Sequence, residues 1–182
     1  MKQLSVILFL FVTTFSIAQD SILSTSKFEE FYSKTGTMYK RESLELGKIR
    51  AIMISAVRIT NLETNDFAEA IQISQSTLNN SGVITIDKEE ISGINKAFVF
   101  YFEQIKKGKP KIATSYFYYT NNNVAISATY TPNMNNVWSI SIYKRYKYIN
   151  ATVDGSEIFF RGKEIDDFIE MFRMADTFKL YK

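Results

Sequence analysis

The stretch Val83–Pro110, VITIDKEEISGINKAFVFYFEQIKKGKP, decides the fold class, because it changes period in its middle. Val83-Ile84-Thr85-Ile86 is β-branched and short, a strand. Asp87 follows as a natural helix N-cap with Glu90 three residues later, and Glu89 and Glu90 suit the positive end of a helix dipole. Ile91, Ile94, Phe98, Tyr101, Phe102 and Ile105 then recur every three or four residues, one apolar stripe. Lys106 and Lys107 fall in the last turn, Gly108 is placed as the left-handed cap, and Pro110 prevents continuation. The run Phe98–Phe102 has β propensity of its own, but the caps and the stripe outweigh it. A strand running directly into a capped helix is the pivot of the chain.

Upstream of it, Ser26 with Glu29 resembles a capping box, with Phe28, Phe31 and Tyr32 on one face of a short helix. The pattern then turns to period two. Thr37–Leu46 and Lys48–Thr60 read as strands with Gly47 as the turn between them. In the second, Ile52, Ile54 and Ala56 share one side and Met53 and Val57 the other, a central strand covered on both faces. Glu63–Asp66 is a turn and Phe67–Ser74 another strand. Downstream, Lys111–Thr120, Val124–Thr131 and Val137–Tyr148 read as strands, with turns at Asn121-Asn122-Asn123 and Pro132–Asn136. Asp154-Gly155 predicts a hairpin joining Ile149–Val153 to Glu157–Phe160. Lys163–Phe178 carries a second helical stripe, Ile165, Phe168, Ile169, Phe172 and Ala175. Short, closely spaced strands pair antiparallel. The expected architecture is α+β: an antiparallel meander with two helices packed on it.

The N-terminus reads differently. Lys2 precedes an apolar run from Leu4 to Phe15, then Ser16-Ile17-Ala18-Gln19 offers small residues two apart, the cleavage pattern of a secretory signal. Roughly a dozen apolar residues fall short of the about 20 that span a bilayer. Residues 1–18 are therefore expected to be a cleaved leader, and 19–182 a single exported domain, periplasmic or secreted. No later segment approaches spanning length, so the expected mature chain is soluble.

Composition excludes more than it selects. The 182 residues contain no His and no Cys. That rules out Ser-His-Asp and Cys-His nucleophilic systems, thiolate or imidazole zinc sites, His-held haem and thiol redox motifs. No GxGxxG or P-loop occurs among the seven glycines, and no Asp-x-Asp-x-Asp calcium loop. No cofactor, metal or catalytic residue is expected. Net charge is +3, and +2 once Lys2 goes with the leader, which points to neither nucleic acid nor acidic membranes. The adjacent acids Glu29-Glu30, Glu89-Glu90 and Asp166-Asp167 each lie near a helix start, where capping accounts for them.

Segment Ile84–Ile94 and the Ser16–Gln19 signal end carry a resemblance. Together they are similar to small exported proteins of unknown function from Bacteroidota-type bacteria, over roughly Thr37 to the C-terminus. The resemblance implies export and implies no activity or catalytic residue.

Two aromatic runs are the binding candidates. Tyr143-Lys144-Arg145-Tyr146-Lys147-Tyr148 interleaves cations with rings that can grip an anionic polymer or stack on sugars, or else forms a strand end whose long side chains cover the sheet. Tyr116 and Tyr118, in the run Tyr116–Tyr119, belong either to a core strand or to a concave aromatic surface. The expected function is an exported, non-enzymatic binding or interaction domain. Its partner would be an envelope or extracellular ligand, whether glycan, lipid or protein, with ligand contacts at Tyr116, Tyr118, Tyr143, Arg145, Tyr146, Lys147 and Tyr148. The alternative is a carboxylate-dependent hydrolase acting on sugars, which needs only two acids.

Overall fold

The computed structural model describes residues 25–77, 80–132, 136–146, 149–152 and 157–177. The expected leader lies outside the described residues, as do Lys147, Tyr148 and the Asp154-Gly155 turn. A six-residue helix α1 (Lys27–Tyr32) opens the described chain. Four strands follow, β1 (Tyr39–Ile49), β2 (Ile52–Asn61), β3 (Phe67–Thr77) and β4 (Asn80–Asp87). Helix α2 (Lys88–Lys106) leads to β5 (Thr114–Tyr119), β6 (Val124–Tyr130), β7 (Trp138–Tyr146), β8 (Ile149–Thr152) and β9 (Ile158–Arg161). Helix α3 (Lys163–Thr177) closes the order.

The α+β class and the antiparallel pairing are as expected, but the strands divide into two sheets. One is the meander β1-β2-β3-β4; the other is β5-β6-β7-β8, with β9 also on β7. The reason lies in the helices. A helix with a wide apolar face can serve a sheet on each side, and one buried cluster here joins both. Ile54, Ala56, Ile71, Ile73, Ile84 and Ile86 of the first sheet meet Ile126, Ala128, Ile140, Ile142 and Phe160 of the second through the stripes of α2 and α3. Phe98 of α2 stands edge-on to Phe168 and Phe172 of α3, each at 5.3 Å between ring centroids. Phe160 of β9 stacks on Phe168 at 4.1 Å. Tyr101 reaches further, donating its buried hydroxyl to the Ile126 carbonyl at 2.9 Å.

Two local expectations change. Gly47 does not turn the chain; it sits inside β1, beside a register shift between Glu45 and Gly47. A Cβ there would lie 2.6 Å from the Met171 sulfur, so the glycine marks where α3 crosses the strand. The turn falls instead at Arg50, in the left-handed region at φ 53°. Strands β8 and β9, expected to be hairpin partners, both lie along β7, β8 beside Arg145 and Tyr146, and β9 beside Ser139–Ile142. A nine-residue strand with one edge taken by β6 leaves a second edge long enough for two short strands.

Asp87 also departs from its expected role. It occupies the N-cap of α2 but makes no side-chain cap bond there. Its two oxygens accept instead from the amides of Lys27 (2.9 Å) and Phe28 (3.1 Å) at the start of α1, sixty residues away in sequence. Ser26 Oγ takes the Glu29 amide at 3.0 Å, and Glu29 returns to the Ser26 amide, the capping box read from the sequence. Every orphan donor of α1's first turn is thus satisfied. That matters because a six-residue helix has no stability alone. Phe28 completes the anchor, buried with Val57, Ile59 and Ala70 on the outer face of the first sheet. Asp87→Ala should cost about 2 kcal/mol in chemical denaturation, against about 1 kcal/mol for Ser26→Ala, because it strips two donors, one of them buried.

Candidate functional site

The expected binding residues do not gather in one place. On β5 the core side is the even-numbered one. Tyr116 stacks on Trp138 (6.0 Å) and Tyr101 (6.5 Å), within the aromatic cluster at the edge of the core. Tyr118 turns the same way, its hydroxyl so close over α2 that a Cβ on Gly93 would lie 2.2 Å from it. Tyr143 is half-buried on the opposite face, across β6 from Tyr119. Arg145 and Tyr146 prolong β7 beside β8. Lys144 leaves the basic run altogether, placing its Nζ 3.2 Å from the Glu29 carboxylate on α1.

The opposite parity of β5 is the exposed one, and composition alone did not single it out. Phe117 and Tyr119 are 53% and 50% exposed, with rings 6.1 Å apart and planes within 4° of parallel. The register across the sheet puts Ser127, Ser141 and Phe159 beside Phe117, and Ala125 and Tyr143 beside Tyr119. Rings therefore stand on β5, β7 and β9, with a floor of small residues between them, two to three strand spacings or about 10 to 14 Å across. That floor is buried: Ala125, Ser127 and Ser141 are all shielded from solvent, and the two serines share a hydrogen bond at 3.2 Å. The exposed hydroxyls on this face are those of Ser115 and Thr129, with Thr129 donating to Ser115 at 3.1 Å. The signal that places Phe117 and Tyr119 outside is the length of the Asn121–Asn123 turn, which sets Tyr118 opposite the core residue Ile126.

A second feature lies at the β4–α2 junction. The Asn121-Asn122 turn docks there: Asn122 Nδ2 donates to the Thr85 carbonyl at 3.2 Å, and the Asn121 amide donates to Glu90 Oε1. Glu90, expected to be a capping acid, is only 9% exposed, and its Oε2 has no hydrogen-bond partner. Burial pushes its carboxyl above the usual range. The Asn121 and Asn122 amides oppose that, while the charges of Asp87 and Glu89 reinforce it. Tyr118 is likewise pushed up, by burial first and by Glu90's charge second. These groups line a cleft of about 370 Å³, closed on its α1 side by Thr25, Lys27 and Glu30. Lys88 points away into a different ion cluster with Glu69 and Arg58. There burial works against Glu69's charge, but the two cations outweigh it and hold that carboxyl low.

Fold and site together define an α+β protein of two antiparallel sheets around shared helices, with an aromatic outer face and an acidic cleft. No family model and no curated protein matches the chain. Among solved structures, that of WHY3 from Arabidopsis thaliana is similar at 12% identity and a TM-score of 0.27, over 76% of this chain and 86% of that one. Among the described residues no helix is long and apolar enough to cross a membrane, and no group of three or more acids is placed to hold a metal ion.

A raised carboxyl has a stability consequence of defined sign. Above the ordinary value of 4.5 and up to its own higher value, Glu90 in the folded chain holds a proton that the unfolded chain has released. Stability therefore falls as pH rises through that window. Glu90→Gln should raise stability at pH 7.5 by about 1 kcal/mol and flatten the profile just above pH 4.5, as read by thermal melts across pH.

Proposed function

We propose that the chain is exported, to the periplasm or beyond, and works there as a non-catalytic binding domain that lays an envelope or extracellular glycan on the outer face of its second sheet. The observation that carries this is the parallel, half-exposed pair Phe117 and Tyr119, with the Ser115 and Thr129 hydroxyls on the same face. A pyranose ring has apolar C–H faces and a rim of hydroxyls. Aromatic rings match the first, and the hydroxyls of Ser115 and Thr129 the second. Strands hold the rings rigidly, so little freedom is lost on binding. Two exposed rings with hydroxyls beside them suit a sugar better than an acyl chain, which calls for enclosed apolar walls.

Export rests on the leader pattern of residues 1–18. The near-balanced charge argues against nucleic acid as the partner. Absence of catalysis rests on the missing His and Cys. The competing reading, a carboxylate-dependent sugar hydrolase, draws on Glu90 and Asp87 lining one cleft. It is the weaker one, because both Asp87 oxygens are occupied by α1 amides. Those two amides fix the Asp87 carboxylate as part of the α1 anchor.

The test is a glycan screen followed by calorimetry on the purified chain. A bound glycan at 100 times its Kd should add about 2.7 kcal/mol to stability. Phe117→Ala with Tyr119→Ala should weaken that binding at least about tenfold, the worth of roughly 1.4 kcal/mol, with little change in folding because both rings are exposed. A broad screen without any stabilisation, or undiminished binding by the double variant, rejects the proposal.

A further inference from the structure

Strand β5 is the edge of the second sheet, and its open side differs from both edges of the first. The Thr120 amide donates to the Val124 carbonyl at 2.9 Å. Alternation along an antiparallel ladder then points the main-chain groups of Thr114, Tyr116 and Tyr118 at β6, and those of Ser115, Phe117 and Tyr119 outward. Among the described residues, no strand or turn meets the outward amides of Ser115 and Phe117. The open stretch closes at Asn121, whose amide is taken by Glu90. Such an edge is a template for another strand unless charge, a bulge or a cover blunts it. Strand β1 is blunted by Lys40, Arg41, Glu42, Glu45 and Lys48, and by its register shift. Strand β4 is met by the Asn122 side chain at the Thr85 carbonyl. Strand β5 has none of these devices: its sequence TSYFYY is uncharged and its register with β6 is unbroken. Apolar side chains flank it on both faces. Phe117 stands on the outer one. On the inner one Phe100 of α2 is 43% exposed and edge-on to Tyr116 at 5.1 Å.

We infer that this edge pairs with a second copy of the chain, β5 against β5, antiparallel about a two-fold axis, so that the two second sheets become one. Charge selects a copy as the occupant. The approach to β5 is basic: Lys107, Lys109 and Lys111 are exposed, and none has an acidic partner among the described residues. The far end is acidic, with Glu30, Asp87, Glu89 and Glu90 lining the cleft beside Tyr119–Asn122. Antiparallel pairing brings the basic end of each copy to the acidic end of the other, and the symmetry does so twice. Parallel pairing would set like charges together. The axis also constrains the register. Inner side chains must lie beside inner ones, and outward main-chain groups must meet each other. Centring the axis on Phe117 does both, and it packs the exposed ring against its own counterpart. Ser115 of one copy then opposes Tyr119 of the other, and Tyr116 opposes Tyr118. Lys111 of one copy runs alongside the Asn121–Asn123 turn of the other, at the mouth of the acidic cleft. The pairing uses main-chain groups and leaves the outer face open, so it does not depend on the glycan reading.

Sedimentation velocity on the purified chain, without any sugar, reads the pairing over a series of concentrations. A monomer–dimer equilibrium is expected, weakening as salt rises because the end charges are exposed. Ser115→Pro should abolish it while circular dichroism stays unchanged. The Ser115 amide points away from β6, so proline loses no ladder bond but removes an outward donor. Reversing Lys109 and Lys111 together to Glu should lower the association constant at least about tenfold. The chain has no cysteine, so one introduced thiol reports its own neighbour. Air oxidation of Phe117→Cys should give a disulfide-linked dimer, because residues facing each other across the axis have Cα atoms about 5.5 Å apart. Met174→Cys, exposed on α3, should not cross-link under the same conditions. If Ser115→Pro fails to fold, the cross-link decides alone. A chain monomeric at every concentration overturns the assignment and leaves the edge to a strand of another protein. A dimer undiminished by a folded Ser115→Pro, or cross-linking as fast at Met174→Cys as at Phe117→Cys, overturns it as well.

Discussion

One helix has to satisfy two sheets, and most of the architecture follows from that demand. Each sheet turns an apolar inner face toward the helices, and one buried cluster joins the two faces through them. Helix α2 carries Ile91, Ile94, Phe98 and Tyr101 along its length, all buried. The first sheet enters it directly through β4, without an intervening loop. The second is tied to it by the Tyr101 hydroxyl on the Ile126 carbonyl. Helix α3 fills the remaining space through Phe168 and Phe172, which close on Phe98. Aromatic residues suit such a shared layer. Each buries a large area and can meet neighbours edge-on in one direction and stacked in another.

The same junction concentrates the polar chemistry. At the point where β4 becomes α2, three distant parts of the chain converge: α1 through Asp87, the Asn121-Asn122 turn through Glu90 and Thr85, and β5 through Tyr118 over Gly93. Asp87 and Glu90 were both legible as helix-start acids. Neither spends its side chain there. Each is turned toward backbone amides brought up by tertiary packing. Glu90 is left with one oxygen satisfied and one not, and that asymmetry makes the cleft chemically distinct from the well-paired cluster of Glu69, Arg58 and Lys88 nearby.

The aromatic runs show where periodicity stops being informative. The run Tyr116–Tyr119 is aromatic at every position, so either parity offers two rings to either side. The choice was made by register: Tyr118 opposes Ile126 and Tyr116 opposes Ala128, both on the core side, so Phe117 and Tyr119 face out. Lys144 illustrates a related point. Within its own segment it reads as part of a basic patch, but the strand carries it to the inner side near α1, where Glu29 receives it.

By itself, the sequence determined the class of fold, the identity of nearly every element, and the absence of thiol and imidazole chemistry. Those properties rest on local period, on caps within a few residues, and on composition, all of which are written along the chain. Only the tertiary structure decided that the strands form two sheets, that Gly47 yields to a crossing helix instead of turning the chain, and that Glu90 is buried with an unmet oxygen. These depend on contacts between residues from 31 to more than 100 positions apart. A side chain's acceptor carries no periodic mark of the donor it will meet, so its partner is settled only when packing brings the two together.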